Sequence, residues 1–161
     1  MCLSDNKIDQ SLVMDPLWET PLFRLVHADF CAWPGYLILR LKGPERSLAE
    51  LAPEEAAAFG QALSRCARAL TDATDAERVY LLSFAEVDRQ LHVHLLARTV
   101  EVEEAWRQAS GKRHGAVDGP ALFQWVRAAW PAGTRPPVAV PHPQVMARLR
   151  QALEGRGPSP V

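Results

Sequence analysis

Residues 90–98 read Gln90-Leu91-His92-Val93-His94-Leu95-Leu96-Ala97-Arg98, and the rest of the chain is read outward from this stretch. Polar and apolar residues alternate through its first five positions, the period of a strand with one covered and one wet face. Gln90, His92 and His94 therefore share a face, the two imidazoles about 7 Å apart along the backbone by strand rise. Spacing alone leaves three readings open. The histidines line the wet face of a half-buried strand; or one reacts near neutral pH while the other assists; or the pair gives two nitrogen ligands to zinc or iron, with His114 or His142 needed as a third. No acidic or thiol ligand sits at motif spacing to them, which disfavours the metal reading.

Working outward, Val79-Tyr80-Leu81-Leu82 reads as the preceding strand. Further upstream, Leu22-Phe23-Arg24-Leu25-Val26 and Tyr36-Leu37-Ile38-Leu39-Arg40-Leu41 are two apolar strands, with Pro34-Gly35 punctuating the turn between them. Ser47 and Glu50 have the spacing of a capping box. Pro53, Glu54 and Glu55 then suit the first turn of a longer helix, whose stripe is Ala56, Phe59, Leu63, Cys66 and Leu70. Downstream, Asp118-Gly119-Pro120 starts a helix carrying Leu122, Trp125 and Val126, stopped by Pro131 and Gly133. Residues 131–143 are proline-rich and extended, and 144–154 repeat Val145, Leu149 and Leu153 at helical spacing. Strand, strand, helix, strand, strand, helix, with short connections, makes an antiparallel sheet with helices packed on it, so the fold class is α+β. The organisation is a polar, loosely held leader over 1–20, one domain over 21–130, and a C-terminal extension with a short helix over 131–161. Trp106, Trp125 and Trp130 are expected to plug the core or a dimer contact rather than stack a ligand, and the basic loop Gly111-Lys112-Arg113-His114-Gly115 to be solvated.

Composition narrows the partners. The chain has 161 residues, 48% of them hydrophobic, enough to bury one core and too few for a second full domain. Lys and Arg total 18 against 19 for Asp and Glu, so the net charge of −1 offers no broad positive field for a nucleic-acid backbone. Cys2, Cys31 and Cys66 are far apart and odd in number, which suggests reduced thiols rather than a disulfide framework. MCLSDNKIDQ at the start has no basic segment followed by an apolar one, and no run is long enough to span a bilayer. A cytoplasmic protein without membrane partners is expected.

The stretch 90–98 resembles the signature of the histidine-triad superfamily, in which three histidines alternate with apolar residues before a small residue or Pro and often Arg. Every position matches except the first histidine, which here is Gln90. Arg24-Leu25-Val26-His27-Ala28-Asp29 and Trp33-Pro34-Gly35-Tyr36-Leu37-Ile38-Leu39 resemble the family's first hairpin, and Ser47-Leu48-Ala49-Glu50-Leu51-Ala52-Pro53-Glu54-Glu55 its approach to the long helix. The resemblance covers roughly residues 20–100.

It implies a sheet of about five antiparallel strands with two main helices, commonly paired as a homodimer. It also implies a nucleotidyl hydrolase or transferase that cleaves a nucleoside-monophosphate linkage through a covalent nucleotidyl-histidine intermediate, without cofactor or metal. His92 falls at the nucleophile and His94 at the histidine that hydrogen-bonds phosphoryl oxygens. Gln90 keeps the backbone carbonyl that holds the second ring nitrogen of His92 protonated. Asp29 falls where an acidic residue commonly holds the ribose hydroxyls. Leu25, Phe30 and Leu37 are expected in the apolar wall around the base, and Arg98 beside the substrate.

Two departures stand out. Ala85-Glu86-Val87-Asp88-Arg89 replaces a Gly-Gln-Ser or Gly-Gln-Thr segment, and its carboxylates disfavour a phosphate unless Arg89 or another cation compensates. Lys42-Gly43-Pro44-Glu45-Arg46 stands where the family has a further histidine, and Lys42 and Arg46 read as solvated cations more readily than as phosphate contacts. The rivals to the enzyme are therefore a catalytically weak nucleotide-binding or regulatory relative, and a metal-binding protein using the His-x-His pair.

Overall fold

Residues 15–138 and 140–155 are described in the computed structural model; most of the leader, with Cys2, and the last six residues lie outside them. Five strands form one sheet: β1 (Trp18–Glu19), β2 (Phe23–His27), β3 (Tyr36–Leu41), β4 (Arg78–Leu82) and β5 (His92–Arg98). They lie in the order β1-β2-β3-β5-β4, antiparallel throughout. The sheet and its α+β class are those expected from the sequence. Strand β1 was not: Trp18 and Glu19 pair with Leu25 and Arg24, so the end of the leader belongs to the sheet.

Among the described residues four α-helices cover it, the two main helices and the short C-terminal one expected and one more: α1 (Pro53–Thr74), α2 (Val100–Ser110), α3 (Gly119–Ala129) and α4 (His142–Glu154). Pro53 opens α1, the amide of Ala52 donates to Glu55 at 2.9 Å, and Ser47 and Glu50 close the short 3-10 turn before it as their spacing predicts. Phe59, Cys66 and Leu70 are buried as read, whereas Ala56 is exposed. Helix α2 was not foreseen. The Thr99 side chain caps it by accepting from the amide of Val102, and Gly111 ends it at φ 72, where a side chain would be strained. Asp118 caps α3, its carboxylate accepting from the Ala121 amide at 3.1 Å.

Strand alternation divides the core in two. On one face Leu25, Leu37, Leu39, Val93 and Leu95 pack against α1 and against Val145, Met146, Leu149 and Leu153 of α4. The residues expected as an appended extension thus complete the main core. On the other face Tyr36 and Leu96 pack with Val102 and Trp106 of α2 and Leu122, Phe123 and Val126 of α3. Trp130 stacks on Trp33, centroids 5.1 Å apart, and Trp125 meets Trp130 edge-on, so the three tryptophans named above do pack internally.

The connection between β2 and β3 is held from several directions. The amide of Ala32 donates to the Trp130 carbonyl at 2.8 Å and that of Ala132 to the Phe30 carbonyl at 3.0 Å. On its other side Gly35 crosses β5 so closely that a Cβ there would stand 2.7 Å from Cβ of Ala97 and 3.1 Å from Nε1 of Trp33. The Ala97 amide and the Trp33 indole close this crossing by donating to the carbonyls of Gly35 (2.8 Å) and Ala97 (3.3 Å).

Candidate active site

Register decides which side chains stand beside the histidines. His92 lies opposite Arg40, and His94 lies between Ile38 of β3 and Leu82 of β4. The two imidazoles meet edge to face with centroids 5.1 Å apart. His92 is buried and His94 half-buried.

The orientation of His92 follows from one bond. Its Nδ1 lies 2.7 Å from the carbonyl of Gln90. A carbonyl only accepts, so Nδ1 carries the proton, and in the neutral ring the lone pair is on Nε2. The Ser83 hydroxyl donates to the backbone carbonyl of His92 at 2.6 Å, fixing the strand beneath the ring. The Gln90 carboxamide is buried and occupied elsewhere. It donates to the carbonyls of Leu41 (3.0 Å) and Gly43 (3.2 Å) and accepts from the amide of Arg46 (2.7 Å), stapling the β3–α1 connection to the start of β5.

His94 is held by the Tyr36 phenol, 3.0 Å from its Nδ1. Burial raises the phenol's pKa, so it stays protonated, and its proton has no other acceptor among the described residues. Tyr36 therefore donates to Nδ1, which puts the single proton of a neutral His94 on Nε2. Burial, and then the neighbouring His92 and Arg127, lower the His94 pKa to about 4, so this imidazole is an uncharged donor at neutral pH.

Of the segment's two carboxylates, Asp88 is compensated, by Arg40 rather than by Arg89. The guanidinium of Arg40 forks onto the Asp88 carboxylate and holds its pKa below the ordinary range. Asp88 Oδ1 also accepts from the Gln90 amide at 3.2 Å. Within the segment, Ala85 sits at φ 52, a left-handed conformation that favours glycine.

The other expected residues separate. Phe30 reaches the site, its ring edge-on to Tyr36 at 5.4 Å and tilted against His94 at 6.4 Å. Asp29 beside it is exposed and lines a cavity of about 500 Å³ with His27, Cys31, Arg135 and His142. Leu25 and Leu37 lie on the opposite face of the sheet, fully buried in the α1–α4 core, because both have the strand parity of Leu39 and Leu95 rather than of the histidines. Arg98 is at the far end of β5, paired with Glu77 and Glu103. Lys42 is taken up by Glu19 and the Thr20 carbonyl, and Arg46 by both oxygens of Glu55. No cluster of three His, Cys, Asp or Glu placed to hold a metal exists among the described residues. His142, one of the third ligands considered, packs instead against His27 at 4.5 Å.

Sequence reasoning missed Tyr36, Arg40 and Ser83, and on α3 Phe123 and Arg127. Pairing register was the signal for the first two, since any residue opposite a histidine, or two positions along the strand from such a residue, shares its face. Phe123, whose ring meets Tyr36 at 5.5 Å and His94 at 6.3 Å, had only an ordinary helical stripe to announce it.

No protein-family model matches the sequence, and no curated protein matches it either. Solved structures do. A histidine triad protein from Bradyrhizobium japonicum aligns with a TM-score of 0.57 at 21% identity, covering 86% of this chain and 89% of that one. One from Sinorhizobium meliloti 1021 gives 0.55 at 23%, over 86% and 88%. The chain has the histidine-triad fold. A third structure of that fold, described as a hypothetical histidine triad nucleotide-binding protein from Sulfolobus tokodaii strain7, aligns at 0.54 and 15% identity over 87% and 83%. At these identities it is the architecture that is shared. Within the histidine-triad fold this chain holds the paired histidines on β5, with glutamine where a first histidine would stand.

Proposed function

We propose that the chain is a nucleotidyl hydrolase or transferase in which His92 is the nucleophile. The observation that supports this above the others is the 2.7 Å bond from Nδ1 of His92 to the Gln90 carbonyl, which leaves the Nε2 lone pair available and holds the opposite nitrogen protonated. In the proposed step Nε2 attacks the α-phosphorus of a nucleotide conjugate. A P–N bond forms, the bond from phosphorus to the leaving group breaks, and the leaving group departs with the electron pair and takes up a proton. The positive charge on the ring is stabilised through Nδ1–H against the Gln90 carbonyl. The oxygen of water or another acceptor then bonds to the phosphorus as the P–N bond breaks and its electron pair returns to Nε2, the acceptor's proton passing to solvent, which releases the nucleoside monophosphate or its new ester and restores neutral His92. His94, with its proton on Nε2, donates to a phosphoryl oxygen. Phe30 and Ile38 provide apolar surface for the nucleoside, and Asp29 accepts from its ribose hydroxyls.

Intact-protein mass spectrometry after brief incubation with nucleoside phosphoramidates and dinucleoside polyphosphates, kept at neutral pH, tests the reading. A nucleoside-monophosphate increment is expected on the wild type and none on His92→Ala. Nucleotide binding by calorimetry without adduct or product from either form would replace the enzyme with a binding or regulatory protein.

We also propose a homodimer formed along β4. This outer strand and the connection after it expose Leu81, Phe84 and Val87, the last two 75% and 95% accessible, an apolar edge that a second copy would cover. Sedimentation velocity is expected to give a dimer for the wild type and a monomer for Leu81→Glu combined with Phe84→Glu.

A further inference from the structure

The proposed chemistry places negatively charged phosphate oxygens against a face around which most cations are already paired with carboxylates. Arg40 is committed to Asp88, and His94 is neutral at the pH at which the nucleophile must act. Arg24 and Lys42 lean on Glu19, Arg46 on Glu55, Arg98 on Glu77 and Glu103, and Arg107 on Glu103. Arg127 differs from all of these. It is exposed on α3, its side chain makes no ion pair or hydrogen bond with any described residue, and its guanidinium carbon lies 5.0 Å from the centroid of Phe30. That ring meets both Tyr36 and His94.

Helical spacing explains how it comes to be there. Phe123 and Arg127 are four residues apart on α3 and therefore project from the same side. Phe123 is buried against Tyr36 and His94, so the position one turn further on overhangs the same cluster. The end of this helix is in turn tied to the Phe30 segment through the Ala32–Trp130 and Ala132–Phe30 backbone bonds and the bridge between Cys31 and Pro131. A planar guanidinium stacked on an aromatic ring keeps its N–H edges free for a bidentate contact with phosphate.

Resting on the nucleotide reading above, we infer that Arg127 is the phosphate-binding cation of this site, gripping the non-bridging oxygens of the nucleoside-monophosphate group presented to His92. It takes the charge-neutralising part that the acidic segment 86–88 cannot supply.

The test is the discrimination between phosphorylated and unphosphorylated ligand, measured by calorimetry with the adenosine, guanosine, cytidine and uridine 5′-monophosphates and the four parent nucleosides. Wild type, Arg127→Gln, Arg127→Lys and, on the opposite side of the sheet, Arg148→Gln are compared. Arg127→Gln is expected to lose affinity for the preferred monophosphate by about tenfold or more, the scale of one charge-assisted contact, with nucleoside affinity unchanged. Arg127→Lys is expected to retain part of the preference, and Arg148→Gln all of it. A purely structural role for Arg127 would lower both affinities together and leave their ratio intact. An unchanged ratio in Arg127→Gln, with wild type binding the monophosphate, overturns this inference alone. Failure of wild type to bind any of the eight probes overturns the nucleotide reading and this inference with it.

Discussion

The backbone carbonyl of Gln90 holds the ring of His92, while its side chain holds three backbone groups of the β3–α1 connection. Because these tasks use different atoms, they separate by mutation. Gln90→Ala keeps the carbonyl and is expected to retain adduct formation on His92. It leaves the Arg46 amide and two carbonyls without their partner, lowering stability by about 2 kcal/mol as read from the urea midpoint. The same residue shows how far the sequence could be read. Alternation placed Gln90, His92 and His94 on one face, and the tie from the Gln90 carbonyl to His92, implied by the family resemblance, is present in the structure. Alternation also held the answer for Leu25 and Leu37. Antiparallel pairing brings side chains of like parity together, and theirs matches the α1–α4 core. Arg127 gave no such signal, for an arginine four residues after a buried phenylalanine looks the same whether it faces bulk water or an active site.

Among the elements, those with a long or regular period were legible: β5, β3, the capped start of α1 and the Asp118 cap of α3. Strand β1 has two residues and so no period to detect. Helix α2 buries only Val102 and Trp106, and its cap at Thr99 abuts the last residue of β5 with no turn residue between to mark the change. The proline-rich approach to α4 made that helix look appended, because proline reads as a break in secondary structure and says nothing of where the chain goes next. Its docking on α1 makes it structural. Leu149 is fully buried there, and Leu149→Ala is expected to lower stability by about 2–5 kcal/mol in chemical denaturation, the usual cost of a buried cavity of that size.

For the whole molecule, histidine burial sets the acid limit of stability. The pKa of His94 falls from 6.5 to about 4, and burial also lowers those of His27 and His142. The unfolded chain accepts protons at these sites below pH 6.5 and the folded one resists them, so unfolding takes up protons there. The stability contributed by neutral imidazoles is complete above about pH 6.5 and is lost as the pH falls toward 4. Asp88, Glu50 and Glu55, held below their ordinary values of 3.8 and 4.5 by Arg40, Ser47 and Arg46, add their loss at the acid end of that window and below it. Melting temperatures measured from pH 7.5 to 4 are expected to decline through it, less steeply for His94→Gln.

The crossing at Gly35 has a consequence for how defects in this protein would be inherited. The segment that carries Phe30 and the strand that carries the histidines meet where there is room for a hydrogen atom and none for a methyl group. A chain with alanine at 35 must spread the two walls apart. In a survey of random variants scored only by growth, a loss at Gly35 would look like the loss of a working side chain, and its steric origin would come to light only when the geometry of His92 was compared in the two forms.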